Sequence, residues 1–291
     1  MSKLTLDLQS AYLSFIQRDT PADREQFAGR FADPDWLARR RVRLDGADVI
    51  ASLSLSPIGG DELQLHALQA GGRPVSVDDA ALIAEVMQYA RKANSSAVLS
   101  RIPVDQLSAA YQEALETAGF KQTGTRIEYK TLLSELSGDG GSPMSWAPPA
   151  ELDAAASLLA RCSEGDPDGL EPDVDPREVL DGYLSAPGLT VDPARCIHIG
   201  SLDGAVAAFV CAQVDPRDGW SRITYMGLLP GFRGQRLGSW VHRHGLAMLK
   251  AQGGVLYHGG TRQDNVPMKA CFARQGCREV SRLSEWAWSR A

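Results

Sequence analysis

The sequence predicts an α+β protein built from two similar domains, and three observations support this fold class. Segments with helical periodicity and segments with strand periodicity follow one another in both halves of the 291-residue chain. Residues 137–142, SGDGGS, contain no apolar side chain and so cannot join a core. Matching residues recur in the two halves at a constant separation. We therefore predict a first domain at 1–136, a linker at 137–142 and a second domain at 143–291.

The constant separation between matching residues is 157 positions, since 276 − 119 and 285 − 128 give the same value. Several pairs share it: Gly119 with Gly276, Glu128 with Glu285, and Val98–Leu99 with Val255–Leu256. A fixed separation that holds across two helices and two strands indicates a duplicated unit.

The first half is predicted to contain both helices and strands. Its periodicity predicts helices over Leu6–Gln17, Val77–Lys92 and Asp105–Ala118, and strands over Asp48–Leu55, Glu62–Leu68, Ala97–Ile102 and Thr125–Leu132. The basic run Arg39–Arg43 is interpreted as the solvated end of a helix that begins near Pro34, because cations are favourable at a helix C-terminus.

The second half is predicted to repeat this pattern with one acidic insertion. We predict a helix over Pro149–Cys162, strands over Cys196–Gly200, Ala205–Val214, Ile223–Leu229 and Val255–Tyr257, and a last strand with Trp286 and Trp288 at alternate positions. The acidic segment Glu164–Glu178 contains several prolines and glycines and is predicted to be irregular. It is either a solvated loop or a lid that attracts a cationic amine.

Composition and charge exclude several classes of protein. A net charge of −6 argues against a nucleic-acid partner, which favours a basic surface. The five cysteines form no C-x-x-C pair, which favours a reducing compartment. The N-terminus lacks the features of a signal peptide, and no apolar run is long enough to span a bilayer. We therefore expect a cytoplasmic protein with no membrane partner and, since no metal-binding motif is present, no metal.

The stretch Ile223–Ser239, ITYMGLLPGFRGQRLGS, has the pattern of an anion-binding turn. An apolar strand ends at Pro230, and a turn with Gly234 and Gly238 leads into an amphipathic helix. The unpaired N–H groups at a helix N-terminus and the helix dipole favour a negative group. Arg233 and Arg236 add guanidinium groups suited to phosphate. The pattern therefore predicts a pyrophosphate site, although neither a Walker loop nor a dinucleotide fingerprint is present.

Two motifs in this half resemble those of the GCN5-related N-acetyltransferase (GNAT) family. Arg233 and Gly238 match the ends of the signature [QR]-x-x-G-x-[GA], while Arg236 stands where the family usually has glycine. A second pattern follows one strand later: Asn265, Phe272, Gly276 and Cys277 fall at the Asn, Tyr, Gly and Phe positions of N-x-x-A-x-x-L-Y-x-x-x-G-F. The resemblance implies two tandem GNAT-like domains, each with a mixed, mostly antiparallel sheet flanked by helices.

The resemblance also implies that acetyl-CoA, or another acyl-CoA, is the co-substrate. Residues predicted to bind it are Leu228, Leu229, Arg233, Gly234, Gln235, Arg236, Leu237, Gly238, Ser239 and Asn265, with the backbone of the two leucines contacting pantetheine. The family often uses a tyrosine to protonate the leaving thiolate, and Phe272 at that position has no proton to give. Candidates for the acid or base are Tyr225, Tyr257 and His258.

The two halves differ at the predicted anion site. At the separation of 157, the turn 233–238 corresponds to 76–81, SVDDAA, which has no glycine and carries two aspartates that repel phosphate. We therefore predict a degenerate first domain and a second domain that transfers an acyl group, with acetyl expected, to a primary amine of a small molecule or peptide. The alternative is a weak or inactive module that binds CoA or a partner. A transferase that uses charged tRNA is disfavoured by the acidic charge. Monomer and homodimer both remain open.

Overall fold

The computed structural model describes residues 2–16, 20–59, 61–69, 79–136, 141–170, 173–184, 192–214 and 220–290. The chain divides into two compact units, one of residues 1–125 with 282–291 and the other of residues 126–281. These units do not coincide with the predicted halves 1–136 and 143–291, because the division passes through two long strands. Residues 137–140 of the predicted linker lie outside the described residues.

Helices and strands follow one another through the first part of the chain. In chain order they are β1 (Ser2–Lys3), α1 (Gln9–Phe15), α2 (Pro21–Ala32), α3 (Pro34–Ala38), β2 (Arg40–Asp45), β3 (Asp48–Gly59), β4 (Glu62–Gln69), α4 (Asp79–Lys92), β5 (Ala97–Pro103), α5 (Ala109–Thr117) and β6 (Lys121–Leu132). The predicted first helix begins as a 3-10 turn at Leu6–Leu8, and the predicted third helix begins later, at its N-cap Ser108.

The second part of the chain has a similar order of elements. They are β7 (Ser145–Ala147), α6 (Leu152–Ser163), α7 (Pro176–Leu184), α8 (Pro193–Cys196), β8 (Ile197–Leu202), β9 (Ala205–Val214), β10 (Trp220–Leu228), α9 (Gly238–Ala251), β11 (Leu256–Arg262), α10 (Val266–Arg274) and β12 (Arg278–Ser289). The acidic segment was predicted to be irregular as far as Glu178, which is wrong at its end. Helix α7 begins at Pro176, because proline suits the first turn and Asp175 accepts a hydrogen bond from the Arg177 amide.

The first unit contains a mixed sheet that is completed by the last strand of the chain. Its order is β1-β2-β3-β4-β5-β12, with only the β4–β5 pair parallel. Helices α4 and α5 cover one face, with Leu65, Val86 and Trp286 in the core between them. Helices α1, α2 and α3 supply a second core, in which Tyr12, Phe31 and Trp36 pack with Val42, which lies on β2.

The second unit contains a sheet of the same order, completed by a strand from the first part of the chain. The order is β6-β11-β10-β9-β8-β7, with only the β10–β11 pair parallel. Helix α6 packs with Phe209, Cys211 and Tyr225, while α9 packs with Val210 and other residues in a separate core. Each unit therefore takes its sixth strand from the other part of the chain.

The element bounds confirm the duplication. Helices α5 and α10 begin at residues 109 and 266, and strands β6 and β12 begin at residues 121 and 278. Both differences are 157, since 266 − 109 and 278 − 121 agree, and both pairs of elements have equal lengths. The mixed sheets flanked by helices are those of the predicted α+β class.

The interpretation of the basic run is wrong. Helix α3 ends at Ala38, and Arg40 begins strand β2. Arg40 and Arg41 are each only 9% exposed, so neither belongs to a solvated helix end. The physical reason is that alternate residues of a strand point to opposite faces of the sheet, and helices pack against both faces here.

Candidate functional site

The predicted anion-binding turn lies between β10 and α9 in the second unit. Residues Pro230–Phe232 form a single 3-10 turn. The last amide of this turn with a backbone acceptor is that of Arg233, which donates to the Pro230 carbonyl. Backbone bonding resumes at Trp240, whose amide donates to the carbonyl of Leu237. Among the described residues, no backbone carbonyl accepts from the amides of residues 234–239. Six consecutive N–H groups at a helix N-terminus are therefore available to a negative group.

Glycine is required at two places in this turn for different reasons. Gly234 has a φ of 77°, a left-handed conformation that side chains disfavour. A Cβ atom on Gly238 would lie 3.2 Å from the Cys271 Sγ, so the absence of a side chain lets the first turn of α9 lie close to α10. The backbone of the turn is thus shaped by its two predicted glycines.

Arg236 is the residue of the turn that departs from the family signature, which usually has glycine at this position. It adopts a left-handed conformation with a φ of 61° and is exposed. This conformation costs an L-residue roughly 1–2 kcal/mol and costs glycine little. The backbone therefore keeps the shape that glycine favours, while the side chain places a guanidinium group in solvent at the edge of the turn.

The Arg233 side chain is bonded to backbone carbonyl groups of the protein. Its guanidinium group donates to three carbonyl oxygens: Leu228 at 3.1 Å from Nε, Glu164 at 2.6 Å and Cys162 at 2.9 Å. These bonds join the end of β10 to the residues that end and follow α6. The side chain is thus engaged by the protein, and its contribution to an anion site in this conformation is to hold the backbone.

The remaining residues of the turn are also placed by contacts with their surroundings. The Gln235 amide group donates to the Gly231 carbonyl at 3.2 Å, and Leu237 is buried. The Ser239 hydroxyl accepts a hydrogen bond from Arg274 at 3.0 Å. These contacts fix the turn from both sides and leave its backbone amides unused.

Strands β10 and β11 separate next to this turn. Their parallel pairing covers only Trp220 with Leu256 and Ser221 with Tyr257, although both strands continue for several residues. A bulge between Ile223 and Tyr225 interrupts the pairing of β10 with β9 on the other side. The edge of β10 that faces β11 is therefore open beyond Ser221, and an extended chain could pair with it.

Leu228 and Leu229 differ in their backbone bonding. The Leu229 amide donates to the Ala207 carbonyl and its own carbonyl accepts from the Phe232 amide, both at 2.9 Å. Neighbouring residues of a strand direct their amides to opposite edges, so the Leu228 amide faces the open edge. The predicted contact with pantetheine thus suits the Leu228 amide, because the Leu228 carbonyl accepts from Arg233 and both backbone groups of Leu229 have partners.

A network of polar side chains links the C-terminal ends of β10 and β11. Asn265 caps α10, accepting from the Met268 amide, and its Nδ2 donates to Asp166 at 3.1 Å and to Asp168 at 2.9 Å. Asp168 also forms an ion pair with Arg126 at 2.9 Å. The Asp168 carboxylate further accepts from the Thr261 hydroxyl and the Arg262 amide. The acidic segment is therefore anchored at the site.

Tyr225 is the predicted catalytic residue that the structure brings into this network. Its hydroxyl lies 3.1 Å from the Asp166 Oδ2 and 2.9 Å from the Cys162 carbonyl oxygen. Burial first, and the Asp166 carboxylate second, raise the pKa of Tyr225 far above its ordinary value. Tyr225 therefore keeps its proton at neutral pH and can donate a hydrogen bond.

Tyr257 and His258 take part in other sets of contacts. The Tyr257 hydroxyl lies 3.3 Å from the His242 Nε2 in the core, and burial raises the Tyr257 pKa well above its ordinary value. The His258 Nε2 is 3.5 Å from the Glu128 Oε2, an ion pair when His258 is protonated. The structure thus distributes the three predicted candidates over three groups of side chains.

Phe272 occupies a packed position in the core of the second unit. Its ring stacks on that of Tyr129 at a centroid distance of 4.1 Å, and it is 1% exposed. The His242 ring packs edge-on against it at 5.0 Å. Phe272 is therefore a core residue of the second unit and has no hydroxyl group that could donate a proton.

Asp166, Asp168 and Arg126 are site residues that the sequence did not identify. The acidic composition of 164–178 indicated either a solvated loop or a lid that attracts an amine, but composition does not show which carboxylates are held at the site. Arg126 comes from β6, which the sequence assigned to the other domain. Within the described part of the chain there is no cluster of three metal-ligating side chains, and no helix is long and apolar enough to cross a membrane.

Comparison with known proteins agrees with this geometry. Residues 154–277 match the model of the acetyltransferase (GNAT) family. The fold is similar to that of a GCN5-related N-acetyltransferase from Sphaerobacter thermophilus, with 12% identity, a TM-score of 0.65, and 97% of this chain and 90% of the other covered. No curated protein matches the sequence.

Two further solved structures have the same fold. One is a tandem GNAT protein from the clavulanic acid biosynthesis pathway, with 16% identity, a TM-score of 0.57 and coverage of 97% and 94%. The other is a GNAT-family acetyltransferase from Colwellia psychrerythraea, with 15% identity, a TM-score of 0.54 and coverage of 97% and 96%. The family match is thus confined to residues 154–277, while the solved structures show that the chain as a whole has the tandem GNAT fold.

Proposed function

We propose that the second unit transfers an acyl group, acetyl in the first instance, from acyl-CoA to a primary amine of a small molecule or peptide. The observation that carries this proposal is the run of amides at 234–239, which have no backbone acceptor among the described residues. Such a run at a helix N-terminus suits the diphosphate of CoA. The exposed guanidinium group of Arg236 adds positive charge at its edge.

The open edge of β10 offers a binding position for the pantetheine arm of the co-substrate. The pantetheine arm is an extended chain with amide groups, and it would pair with the Leu228 backbone as an added strand. Continuing toward the bulge, the arm brings its thioester near Tyr225. The separation of β10 from β11 provides the place where donor and acceptor meet.

The proposed reaction is direct attack of the amine on the thioester. The amine nitrogen forms a bond to the carbonyl carbon, the carbon–sulfur bond breaks, and the sulfur leaves as a thiolate that takes up a proton. The nitrogen loses a proton to water or to a nearby carboxylate, so charges and atoms balance. The role we propose for Tyr225 is a hydrogen bond from its hydroxyl to the developing negative charge, because its raised pKa makes it a weak proton donor.

The anchored acidic segment supports an amine as the acceptor. Asp166 and Asp168 lie beside the separated strands, and a protonated amine would be attracted by their carboxylates before it loses its proton. The five cysteines are all buried and unpaired, which supports a reducing compartment, and we propose that the protein acts in the cytoplasm.

A second function is favoured by one observation. Phe272, packed against Tyr129, replaces the tyrosine that the family often uses as a proton donor. A protein with weak or no turnover that binds CoA as a ligand would tolerate this replacement. Release of free thiol from acetyl-CoA with a panel of amines separates the two functions, since a binding module would release none above the rate without enzyme.

Ser239 offers a matched pair of variants for the binding site. Ser239→Pro removes one backbone N–H in the first turn of α9, where proline is compatible with the helix, while Ser239→Ala removes the hydroxyl and keeps the N–H. A lost hydrogen bond to a charged phosphate weakens binding by roughly 10–100-fold. We expect calorimetry to show this loss for proline and a change below about threefold for alanine.

The same titration tests which unit binds. We expect one acetyl-CoA site per chain, because the segment 76–81 has valine and alanine in place of the two glycines and carries two aspartates. Two sites per chain would contradict a degenerate first domain. Equal affinities of the proline and alanine variants would contradict the role of the turn amides, and with it the proposed function.

A further inference from the structure

A row of polar side chains lies on one face of the sheet in the first unit, away from the proposed acyl-CoA site. Arg40 of β2 is opposite Ser54 of β3, and Ser54 is opposite His66 of β4. Residues directly opposite one another point to the same face. Ser52, two residues before Ser54, joins them. This face is covered by α1, α2 and α3, because Val42, two residues after Arg40, packs with Tyr12 and Trp36.

Arg40 is held firmly within this row. Its guanidinium carbon lies 3.6 Å from the centroid of the Trp36 ring, so one face of the group is covered. One terminal nitrogen donates to the Trp36 carbonyl at 2.8 Å. The side chain is 9% exposed, and its Nε is buried without a hydrogen-bond partner among the described residues.

Arg40 differs from the arginines on either side of it. Arg39 forms an ion pair with Asp35 at 3.3 Å, and Arg41 forms one with Glu85 at 3.0 Å. Within the described ranges, no carboxylate pairs with Arg40. Buried charges in proteins are ordinarily paired, because an unpaired charge loses its hydration without compensation. The Arg40 guanidinium group also interacts with the Tyr12 hydroxyl, and its buried Nε–H is left as a donor that suits an anion.

The neighbouring side chains have polar atoms suited to the same ligand. The Ser52 Oγ is buried and also without a partner in the described part of the chain. His66 lies beyond Ser54 in the same row, and burial first, and the positive charge of Arg40 second, lower the pKa of His66. Ser52 and Ser54 are 2% and 8% exposed, whereas His66 is partly exposed. The row therefore opens to solvent on the side of β4.

We propose that this row binds a small organic carboxylate, with the Nε–H of Arg40 and the hydroxyl of Ser52 as donors and His66 at the entrance. Trp36 covers one face of the guanidinium group, so an anion must approach within its plane, and a planar carboxylate matches that approach. The proposal does not depend on the acyl-CoA site, since it concerns residues of the other unit.

The test uses the full chain and three probes: acetate, succinate and benzoate. Saturation-transfer NMR at an ionic strength kept constant with sodium chloride measures their binding to the wild type and to Arg40→Met, which keeps the length of the side chain and removes its charge and Nε–H. Arg39→Met is the matched control, because it removes a neighbouring charge that already has a carboxylate partner. We expect at least one probe to bind the wild type and Arg39→Met, and to bind Arg40→Met at least tenfold more weakly.

A second variant protects the test against a loss of folding. Ser52→Ala removes one hydroxyl without changing charge, and we expect it to weaken the same probe several-fold. No binding of any probe to the wild type, or equal binding to wild type, Arg40→Met and Ser52→Ala, would overturn the proposal. Binding of inorganic phosphate in preference to all three probes would overturn the assignment to a carboxylate, as would a crystal structure with a carboxylate of the protein itself at the Arg40 Nε.

Discussion

Replacing Arg233 by methionine tests whether this residue stabilises the fold or contacts the phosphate of the co-substrate directly. The guanidinium group donates to the carbonyls of Leu228, Glu164 and Cys162, and methionine can make none of these bonds. The Cys162 carbonyl keeps the Tyr225 hydroxyl as a partner, while the carbonyl of Leu228 loses the guanidinium donor. The variant should therefore destabilise the protein even when no co-substrate is present.

The size of the effect follows from the three bonds. A hydrogen bond to a charged group contributes roughly 1.5–3 kcal/mol, and bonds that share one side chain do not add fully. Because Arg233 is partly exposed, water replaces part of the loss, and we expect about 2–3 kcal/mol in total. For a unit of this size that corresponds to a decrease in Tm of about 5–10 °C.

The assay is thermal unfolding of the ligand-free protein, followed by calorimetry with acetyl-CoA. Arg236→Met is the control, because it removes an exposed guanidinium group from the same turn, and we expect its Tm to stay close to that of the wild type. An unchanged Tm for Arg233→Met together with a large loss of acetyl-CoA affinity would refute the structural role. That result would instead indicate that Arg233 contacts the phosphate directly.

Three further predictions concern single residues. Arg236→Gly should stabilise the ligand-free protein by about 1 kcal/mol, measured by the denaturant midpoint, because glycine accepts the left-handed conformation without strain; a lower midpoint would contradict this. Tyr225→Phe should reduce acyl transfer about 100-fold and leave acetyl-CoA affinity within about threefold, and unchanged turnover would exclude Tyr225 from the reaction. Burial lowers the pKa of His242 to about 4, so the unfolded chain binds a proton that the folded chain does not between about pH 6.5 and 4. Stability should fall as pH decreases through this range, by up to about 3 kcal/mol, and His242→Gln should flatten the profile measured by urea unfolding.

Periodicity was sufficient for most of the longer strands and helices, because each carries its own pattern, but it did not reveal β2, β7, α7 or α8. The predicted strand Ala205–Val214 is found with those bounds, and the predicted strand Glu62–Leu68 extends by one residue. Periodicity could not show which sheet each last strand completes. Strands β6 and β12 are equivalent copies of one repeat, so either could complete either sheet, and the choice depends on tertiary packing.

The sequence predicts the part of the candidate site that is formed by a backbone turn. It does not predict the part that depends on where long side chains point. The turn 234–239 follows from Pro230, Gly234 and Gly238, which act on neighbouring residues. The direction of the Arg233 side chain depends on carbonyls about 70 positions earlier in the chain, which no local pattern specifies. Arg40 was misinterpreted for the same reason, since charge alone does not reveal that a strand buries it.

Each unit contains one strand from the other part of the chain, and this exchange gives a physical reason for keeping a first half that is predicted to lack an anion site. Residues 126–132 of β6 precede the linker in the sequence but pair with β11. Arg126 in this strand forms the ion pair with Asp168 beside the proposed site. Deleting the first half would therefore remove a border strand and an ion pair from the second unit. Selection for the chemistry of one copy thus maintains the other copy, and cleavage of the backbone within 137–142 would leave two fragments that still complete each other's sheets.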